Sequence, residues 1–264
     1  MVRVALEKGV VRYDNIHLAL RRISSDVEKA VSSARNIVVV PNSLYPKNEH
    51  TVVNVDAIRA VLDFITQFTN RRITIASGSF SMADVFSDFH YLQLQDSYSL
   101  EFADLHYDAY RSGMSKRLLA SDCRISIGLL QTHNMLLANL ATSSMALTAM
   151  QLSQRTKLNS PKEFQKAVAA VSKTVMPHFA VIDGFSGMEG NFPRENRFVE
   201  ANVALAGIDA LAVDSVAASV MGIKQLAYLK KTGKMPAVQI VGEKLENCRT
   251  KFTLPGNSRN LLRL

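Results

Sequence analysis

Carboxylates are the residues of this chain whose placement most directly suggests chemistry. Asp183 follows a short apolar run, Glu189 lies in a glycine-containing loop, and Asp214 stands among alanine, valine and leucine residues. Because carboxylate oxygens bind hard cations and transfer protons, Asp183, Glu189 and Asp214 are candidate ligands of a divalent cation. Asp183 and Glu189 are also candidate catalytic groups. The alternative gives Asp183 a turn, exposes Glu189 to solvent and makes Asp209 a helix cap. Asp214 lies in a predicted buried helix, where an ionised carboxylate must be paired, hydrogen-bonded or neutralised.

His133, which follows an apolar run, is the candidate group for proton transfer during catalysis. A single histidine is more often a hydrogen-bonded structural residue, and no second histidine lies at a metal-ligand spacing from it. The two cysteines, Cys123 and Cys248, are too few for a disulfide framework, a structural zinc site or an iron–sulfur cluster. The sequence thus leaves a divalent cation open as a cofactor and predicts no iron–sulfur cluster.

Polar residues end four short apolar runs that we predict to be strands. They are Pro41-Asn42-Ser43, Ser77-Gly78-Ser79, Gln131-Thr132-His133 and Asp183-Gly184. In an open parallel sheet, the carboxyl ends of the strands share one edge, and ligands bind beyond that edge. We therefore predict a ligand-binding site at this edge, formed by Asn42, Ser77, Gly78, Ser79, Thr132 and Gly184.

Predicted strands alternate with predicted helices along the chain. The strands cover 2–6, 37–40, 72–76, 124–129, 178–182, 201–206 and 237–241, and the helices cover 14–34, 55–68, 135–152, 161–175, 209–221 and 223–231. Ser81 and Asp84 have the spacing of a capping box, which predicts the start of another short helix. The alternation predicts an α/β fold in which helices cover both faces of a mostly parallel sheet.

We expect a single α/β domain over residues 1–253. The aromatic-rich segment 88–120 would form a lid or a small subdomain inserted into it, and residues 254–264 would form a C-terminal tail. The length of the chain allows a large buried core.

Charge and hydropathy restrict the classes of partner. The net charge is +8 and the pI about 9.5, but the basic residues occur in isolated pairs such as Arg71-Arg72, which disfavours nucleic acid as a partner. No stretch of about 20 uncharged apolar residues occurs, so we expect no membrane partner. With no apolar signal region at the N-terminus and two cysteines expected to be reduced, we expect a cytoplasmic protein.

Several of these motifs together resemble the family known as domain of unknown function 362. The matching residues are Pro41-Asn42, Thr132-His133, Asp183-Gly184, Met188-Glu189-Gly190, Asp209-Ala210-Leu211-Ala212-Val213-Asp214 and Met221-Gly222. The resemblance covers roughly residues 37–243 and implies the fold and the position of the site more than a reaction.

The chain also departs from the family's pattern. Val40 and Gln131 stand where the family has lysines, and the segment 137–144 lacks a third lysine. The ferredoxin-like cysteine clusters of many relatives are absent. Loss of three cations would remove much of an anion-binding or lysine-dependent site, while the carboxylates are retained.

Two hypotheses follow for the function. In the first, the chain is a small-molecule enzyme in which His133 transfers a proton while Asp183, Glu189 and Asp214 bind a cation or orient the substrate. In the second, it is a diverged, non-catalytic member of the family that binds a metabolite or a protein partner in the same crevice. Both make a small molecule the expected ligand, and both are compatible with a homo-oligomer.

Overall fold

Nine strands form the central sheet in the computed structural model, which describes residues 1–79, 84–195 and 197–262. They are β1 (Val2–Lys8), β2 (Ile37–Pro41), β3 (Ile73–Ser77), β4 (Leu100–Asp104), β7 (Cys123–His133), β8 (Leu137–Asn139), β9 (Phe179–Glu189), β10 (Arg197–Gly207) and β11 (Val238–Gly242). Strands β5 (Tyr110–Arg111) and β6 (Met114–Ser115) form a separate hairpin. The helices are α1 (Arg12–Arg22), α2 (Ser24–Val31), α3 (Val55–Ile65), α4 (Val85–Asp88), α5 (Lys116–Ala120), α6 (Ala141–Ala149), α7 (Leu152–Arg155), α8 (Pro161–Thr174), α9 (Ala210–Val220), α10 (Ala227–Thr232), α11 (Leu245–Cys248) and α12 (Ser258–Leu261).

The strand order across the sheet is β11-β1-β10-β9-β7-β2-β3-β4, and β8 pairs with β7 outside this series. Each neighbouring pair from β9 to β4 is parallel. Strand β10 instead runs antiparallel to both of its neighbours, β1 and β9. The predicted α/β fold with a mostly parallel sheet is therefore confirmed.

Consecutive residues of β9 pack against opposite layers of helices. Val181 belongs to the buried cluster that includes α1 and α3, whereas Ile182 belongs to the cluster that includes α6 and α9. Burial of a valine or isoleucine side chain contributes roughly 1.5–3 kcal/mol. Since a one-residue slip of β9 would exchange these two faces, packing fixes its register and places the next residue, Asp183, on the α1 face.

The helix predicted over 14–34 is divided at Ile23 into α1 and α2. Ile23 has φ −120° and ψ 22°, outside the helical region, and its side chain is buried. Ser24 and Ser25 follow, and serine side chains favour helix ends over helix interiors. The break allows Val27 and Val31 of α2 to reach the same core as α1.

The helix predicted over 135–152 is also only partly present, because its first residues form β8. This strand pairs antiparallel with β7, with Leu137 opposite His133 and Asn139 opposite Gln131. Helix α6 begins just after β8 and lies very close to β7. A Cβ atom on Gly128 would lie 2.7 Å from the backbone nitrogen of Ala141, so only glycine permits this approach.

Segment 88–120 is continuous with the main sheet through β4, which pairs with β3 at the sheet edge. The same segment carries the small β5–β6 hairpin and α5. Residues after 253 lie against the protein: Asn257 donates a hydrogen bond to the carbonyl of Asn134, and Leu261 is buried.

The capping predictions can be compared with the helix starts. Asp209 caps α9 by accepting the N–H of Ala212, as expected. Asp84 caps α4 by accepting the N–H of Phe86, while Ser81, its predicted partner, lies outside the described residues. Across 1–79, 84–195 and 197–262, none of the helices is both long and apolar enough to cross a membrane.

Candidate functional site

The strand register places the polar strand ends on one edge of the sheet. Val39 of β2 pairs with Ile75 of β3 and Ile125 of β7, and Ile127 of β7 pairs with Val181 of β9. Because all these strands are parallel, the residues that follow them lie at the same edge of the sheet. We call this rim the carboxyl edge, and it comprises residues 41–45, 77–79, 104–110, 131–133 and 183–190.

A closed network of amides occupies the middle of the carboxyl edge. The side-chain oxygen of Gln131 accepts hydrogen bonds from Asn42 at 2.9 Å and from Asn139 at 3.3 Å, and its NH₂ group donates to the carbonyl of Thr51 at 3.3 Å. Ser143 donates to the Asn139 oxygen at 2.8 Å. Gln131 thus belongs to a neutral, buried network that also uses the amide of Asn42.

Thr132 and Gly184 have structural contacts with neighbouring strands. The Thr132 hydroxyl is 2.9 Å from the carbonyl oxygen of Gly190 and 3.3 Å from that of Met188, so it ties β7 to the end of β9. A Cβ atom on Gly184 would lie 2.7 Å from a methyl carbon of Val203, which explains glycine at this position by packing. These contacts account for both residues without a ligand.

His133 is buried between aromatic rings. Its imidazole stacks on Phe164 of α8 with the ring centroids 5.6 Å apart, and the Tyr45 ring lies 6.1 Å away. Nδ1 accepts the N–H of Met135 at 3.1 Å, whereas Nε2 has no hydrogen-bond partner within the described part of the chain. Burial lowers the pKa of His133 to about 4, so the ring is neutral near pH 7.

Asp183 lies on the opposite face of the sheet from His133. Its carboxylate forms an ion pair with Arg12 of α1, with Nε and Oδ1 3.2 Å apart, and accepts the N–H of Phe185. The Arg12 guanidinium also lies 4.8 Å from the centre of the Phe185 ring. Burial raises the pKa of Asp183, and the charge of Arg12 opposes this rise. The ion pair therefore links the start of α1 to β9.

The other two candidate carboxylates hold backbone segments. Glu189 accepts the N–H of Thr253 at 2.7 Å and so fixes the chain that follows α11. Asp214 is fully buried and accepts the N–H groups of Ala141 and Thr142 at 3.0 and 2.9 Å, which caps α6 from a different helix. Burial raises the pKa of Asp214 to about 7, against these hydrogen bonds.

Asp183, Glu189 and Asp214 consequently have separate partners. No hydrogen bond or ion pair links any two of His133, Asp183 and Glu189 among the described residues. Throughout the described part of the chain, no group of three or more histidine, cysteine, aspartate or glutamate side chains could hold a metal ion. The structure thus offers no support for the expected cation site, and the catalytic roles of the three residues stay predictions.

The serine cluster after β3 has a different environment, because a buried arginine lies against it. Ser43 and Ser77 are both buried, and their hydroxyl oxygens are 2.8 Å apart. Arg155, the last residue of α7, is only 2% exposed and donates from Nη1 to the carbonyl of Gly78 at 2.9 Å. A Cβ atom on Gly78 would lie 2.9 Å from the carbonyl oxygen of Thr148, so glycine allows this close approach to α6.

Aromatic and imidazole groups surround Arg155. Nη2 lies 3.4 Å from Nε2 of His106, whose Nδ1 is 4.0 Å from the carboxylate of Asp104. Burial lowers the pKa of Arg155 to about 10, and Tyr45 and Tyr110 partly oppose this change. Burial also raises the pKa of Tyr45 to about 12, so its phenol is a protonated donor at pH 7. A buried guanidinium beside the serine cluster suits the binding of an anion.

Sequence patterns gave little indication of the residues that complete this site. Arg155 ends a helix of four residues, too short for any periodic signal. His106 and Tyr45 lie in irregular segments beyond β4 and β2, and Arg12 belongs to the first turn of α1. The only available signal was position, since His106 and Tyr45 follow strands of the parallel sheet at the predicted edge.

A comparison with protein-family models matches residues 37–219 to the family described as domain of unknown function, DUF362. No curated protein matches the chain. The match covers more than half of the chain and includes the strands and polar segments of the carboxyl edge from β2 to β9, together with Asp209 and Asp214. The chain therefore belongs to the DUF362 family.

Proposed function

We propose that this protein binds a small anionic metabolite at the carboxyl edge without transforming it. One observation carries the proposal: the guanidinium of Arg155 is buried at this edge and donates to the carbonyl of Gly78, the residue after Ser77, at 2.9 Å. The ligand class is a small molecule that carries a carboxylate or a phosphate group.

The chemistry of arginine supports this class of ligand. Guanidinium groups bind carboxylates and phosphates through two parallel hydrogen bonds, and such charge-assisted bonds are strong when water is excluded. Burial of a cation also costs desolvation free energy. The lowered pKa of Arg155 reflects that cost.

The contacts of the expected acid–base groups favour binding over catalysis. His133 is enclosed by Phe164 and Tyr45, Asp183 is paired with Arg12, and Glu189 holds the backbone of Thr253. Each group already performs a structural role, and none is positioned by another as an acid–base pair would be. We also propose a cytoplasmic location, which is supported by two free, buried cysteines.

Calorimetric titration of the purified protein with malonate and with inorganic phosphate, at fixed ionic strength, tests this proposal. We expect at least one of the two anions to bind the wild-type protein, and Arg155→Met to weaken that binding by about a hundredfold, as for loss of a charged hydrogen-bonding partner. Arg155→Lys keeps the charge but loses the planar fork, so an intermediate affinity is expected.

Arg21→Met is the matched control, because it removes one exposed guanidinium from α1. It should leave the affinity unchanged. Circular dichroism verifies that each variant is folded, and Arg155→Lys carries the test if Arg155→Met does not fold. Absence of binding by both anions, or equal affinity in wild type and the folded Arg155 variants, would overturn the proposal.

A further inference from the structure

A second concave site lies near the amino ends of β2 and β3 and shares none of its lining residues with the site around Arg155. Its volume is about 670 Å³. We call it the basic cavity, and its lining includes Arg35, Arg71, Arg72, Lys116 and Arg117. Cavities of about 300–1,000 Å³ are typical of small-molecule sites.

Five cationic side chains converge on the basic cavity from three separate parts of the sequence. Arg35 precedes β2, Arg71 and Arg72 precede β3, and Lys116 and Arg117 begin α5. Only two carboxylates share the lining, so the cavity carries an excess of positive charge. A cavity lined by an excess of cationic side chains attracts anions.

Both carboxylates of the lining are already engaged. Glu101 forms an ion pair with Arg117 at 2.9 Å. Asp108 accepts the hydroxyl of Ser115 and the N–H of Arg117 at 3.2 Å, and therefore holds the start of α5. Neither is left to compensate the remaining cations.

Three of the cations make no side-chain hydrogen bond or ion pair with the described residues, although the charge of Arg35 helps to lower the pKa of Asp122. Arg72 donates from Nε to the carbonyl of Leu100 at 3.1 Å. By contrast, the side chains of Arg35, Arg71 and Lys116 form no hydrogen bond or ion pair with the described residues, and all three are exposed. Two guanidinium groups and one ammonium group are thus available to a ligand.

We propose that the basic cavity binds a small molecule carrying at least two phosphate groups. Arginine and lysine side chains bind phosphate oxygens through charge-assisted hydrogen bonds, and three available cations match the charge of a diphosphate. Ile37, Val38 and Ala120 provide an apolar part of the lining, which suits the organic portion of a phosphorylated metabolite. The concave shape favours a compact ligand over a nucleic acid, which needs an extended basic surface.

This site is separate from the one proposed around Arg155. The basic cavity lies toward the amino ends of parallel strands whose carboxyl ends carry Ser43, Ser77 and Gly78. Substitutions can therefore disable either site alone.

The test uses calorimetric titration of the full chain with inorganic pyrophosphate at fixed ionic strength. We expect the double variant Arg71→Gln, Lys116→Gln to bind pyrophosphate at least about tenfold more weakly than the wild type. The matched control, Lys162→Gln with Lys166→Gln, removes two exposed charges of α8 that do not line the cavity, and should bind as the wild type does. Arg155→Lys should also keep its affinity for pyrophosphate, which distinguishes failure at one site from failure at the other.

Four results would overturn the inference. In the first, pyrophosphate does not bind the wild type. In the second, it binds the cavity variant as tightly as the wild type. In the third, the α8 control loses as much affinity for pyrophosphate as the cavity variant does. The fourth result concerns a single-stranded oligonucleotide: if it binds through Arg71 and Lys116 while pyrophosphate neither binds nor displaces it, the ligand is a nucleic acid. Displacement of the oligonucleotide by pyrophosphate would instead support a phosphate site.

Discussion

The guanidinium of Arg12 lies 3.2 Å from the carboxylate of Asp183 and joins the first turn of α1 to the middle of β9. The pair is largely withdrawn from solvent, with the Asp183 side chain 2% exposed and that of Arg12 19% exposed. A carboxylate that the sequence offered as a catalytic group or a metal ligand therefore has a cationic partner within the protein.

Removal of the Arg12 cation should reduce the stability of the folded protein more than neutralisation of the Asp183 carboxylate. We predict that Arg12→Met lowers the free energy of unfolding by about 3 kcal/mol, because it leaves a buried carboxylate without its partner. Asp183→Asn should cost less, since it leaves no buried negative charge behind. Urea denaturation at neutral pH measures both values. A smaller loss for Arg12→Met than for Asp183→Asn would show that the ion pair does not have this role.

Asp214 should make the protein less stable as the pH rises from acid to neutral. Its pKa is raised to about 7 in the folded protein, so the folded state holds this proton more tightly than the unfolded chain. The stability gained from protonation is complete below the unfolded pKa, near 4, and is lost as the pH rises through 7. We predict that Asp214→Asn removes a slope of up to about 1.4 kcal/mol per pH unit in this window. Urea unfolding at several pH values measures the slope, and an unchanged slope in the variant contradicts the prediction.

His133 should have the opposite effect over part of the same range. Its pKa is lowered to about 4, so the unfolded chain binds this proton more readily than the folded protein. Stability is lost as the pH falls from about 6.5 toward 4. We predict that His133→Phe, which preserves an aromatic ring beside Phe164, removes this acid-side loss and leaves anion binding at Arg155 intact. Loss of binding in a folded His133→Phe protein would assign His133 to the ligand site instead.

The amide network at the carboxyl edge supplies a further prediction. Gln131→Met has a similar shape to the natural residue but removes the acceptor used by Asn42 and Asn139. We expect a loss of about 1–3 kcal/mol for each donor left unpaired. Gln131→Lys introduces the residue type that the family resemblance implies at this position. It should lower the stability more than Gln131→Met does, because it adds a charge among these buried amides. Equal or greater stability of Gln131→Lys would mean that the network opens to accommodate a cation.

The sheet and its edge could be predicted because their signals are local. Val38 to Val40 form a short β-branched run that ends at Pro41, and such runs identify buried parallel strands. Alternation of strands with amphipathic helices then fixes which ends meet. The roles of Asp183 and Asp214 could not be predicted, because their partners, Arg12 and the start of α6, are 171 and 72 positions or more away along the chain.

The two proposed ligand sites also differ in how much of them the sequence predicts. Ser77 and Gly78 were predictable from their position after β3, but Arg155 comes from a four-residue helix with no periodicity. The basic cavity could not be predicted from the sequence for a related reason. Arg71-Arg72 is an isolated pair in the sequence, and only the folded chain brings it beside Arg35 and Lys116.

Anomalous X-ray diffraction from crystals soaked in selenate would locate bound anions directly. Selenate has the tetrahedral shape of phosphate, and its selenium atom can be identified by anomalous scattering. We predict a peak within about 4 Å of the Arg155 guanidinium, beside the hydroxyl groups of Ser43 and Ser77, with no such peak in Arg155→Met crystals. Selenate found only in the basic cavity, or no anomalous density beside Arg155 in the wild-type protein, would contradict anion binding at the carboxyl edge.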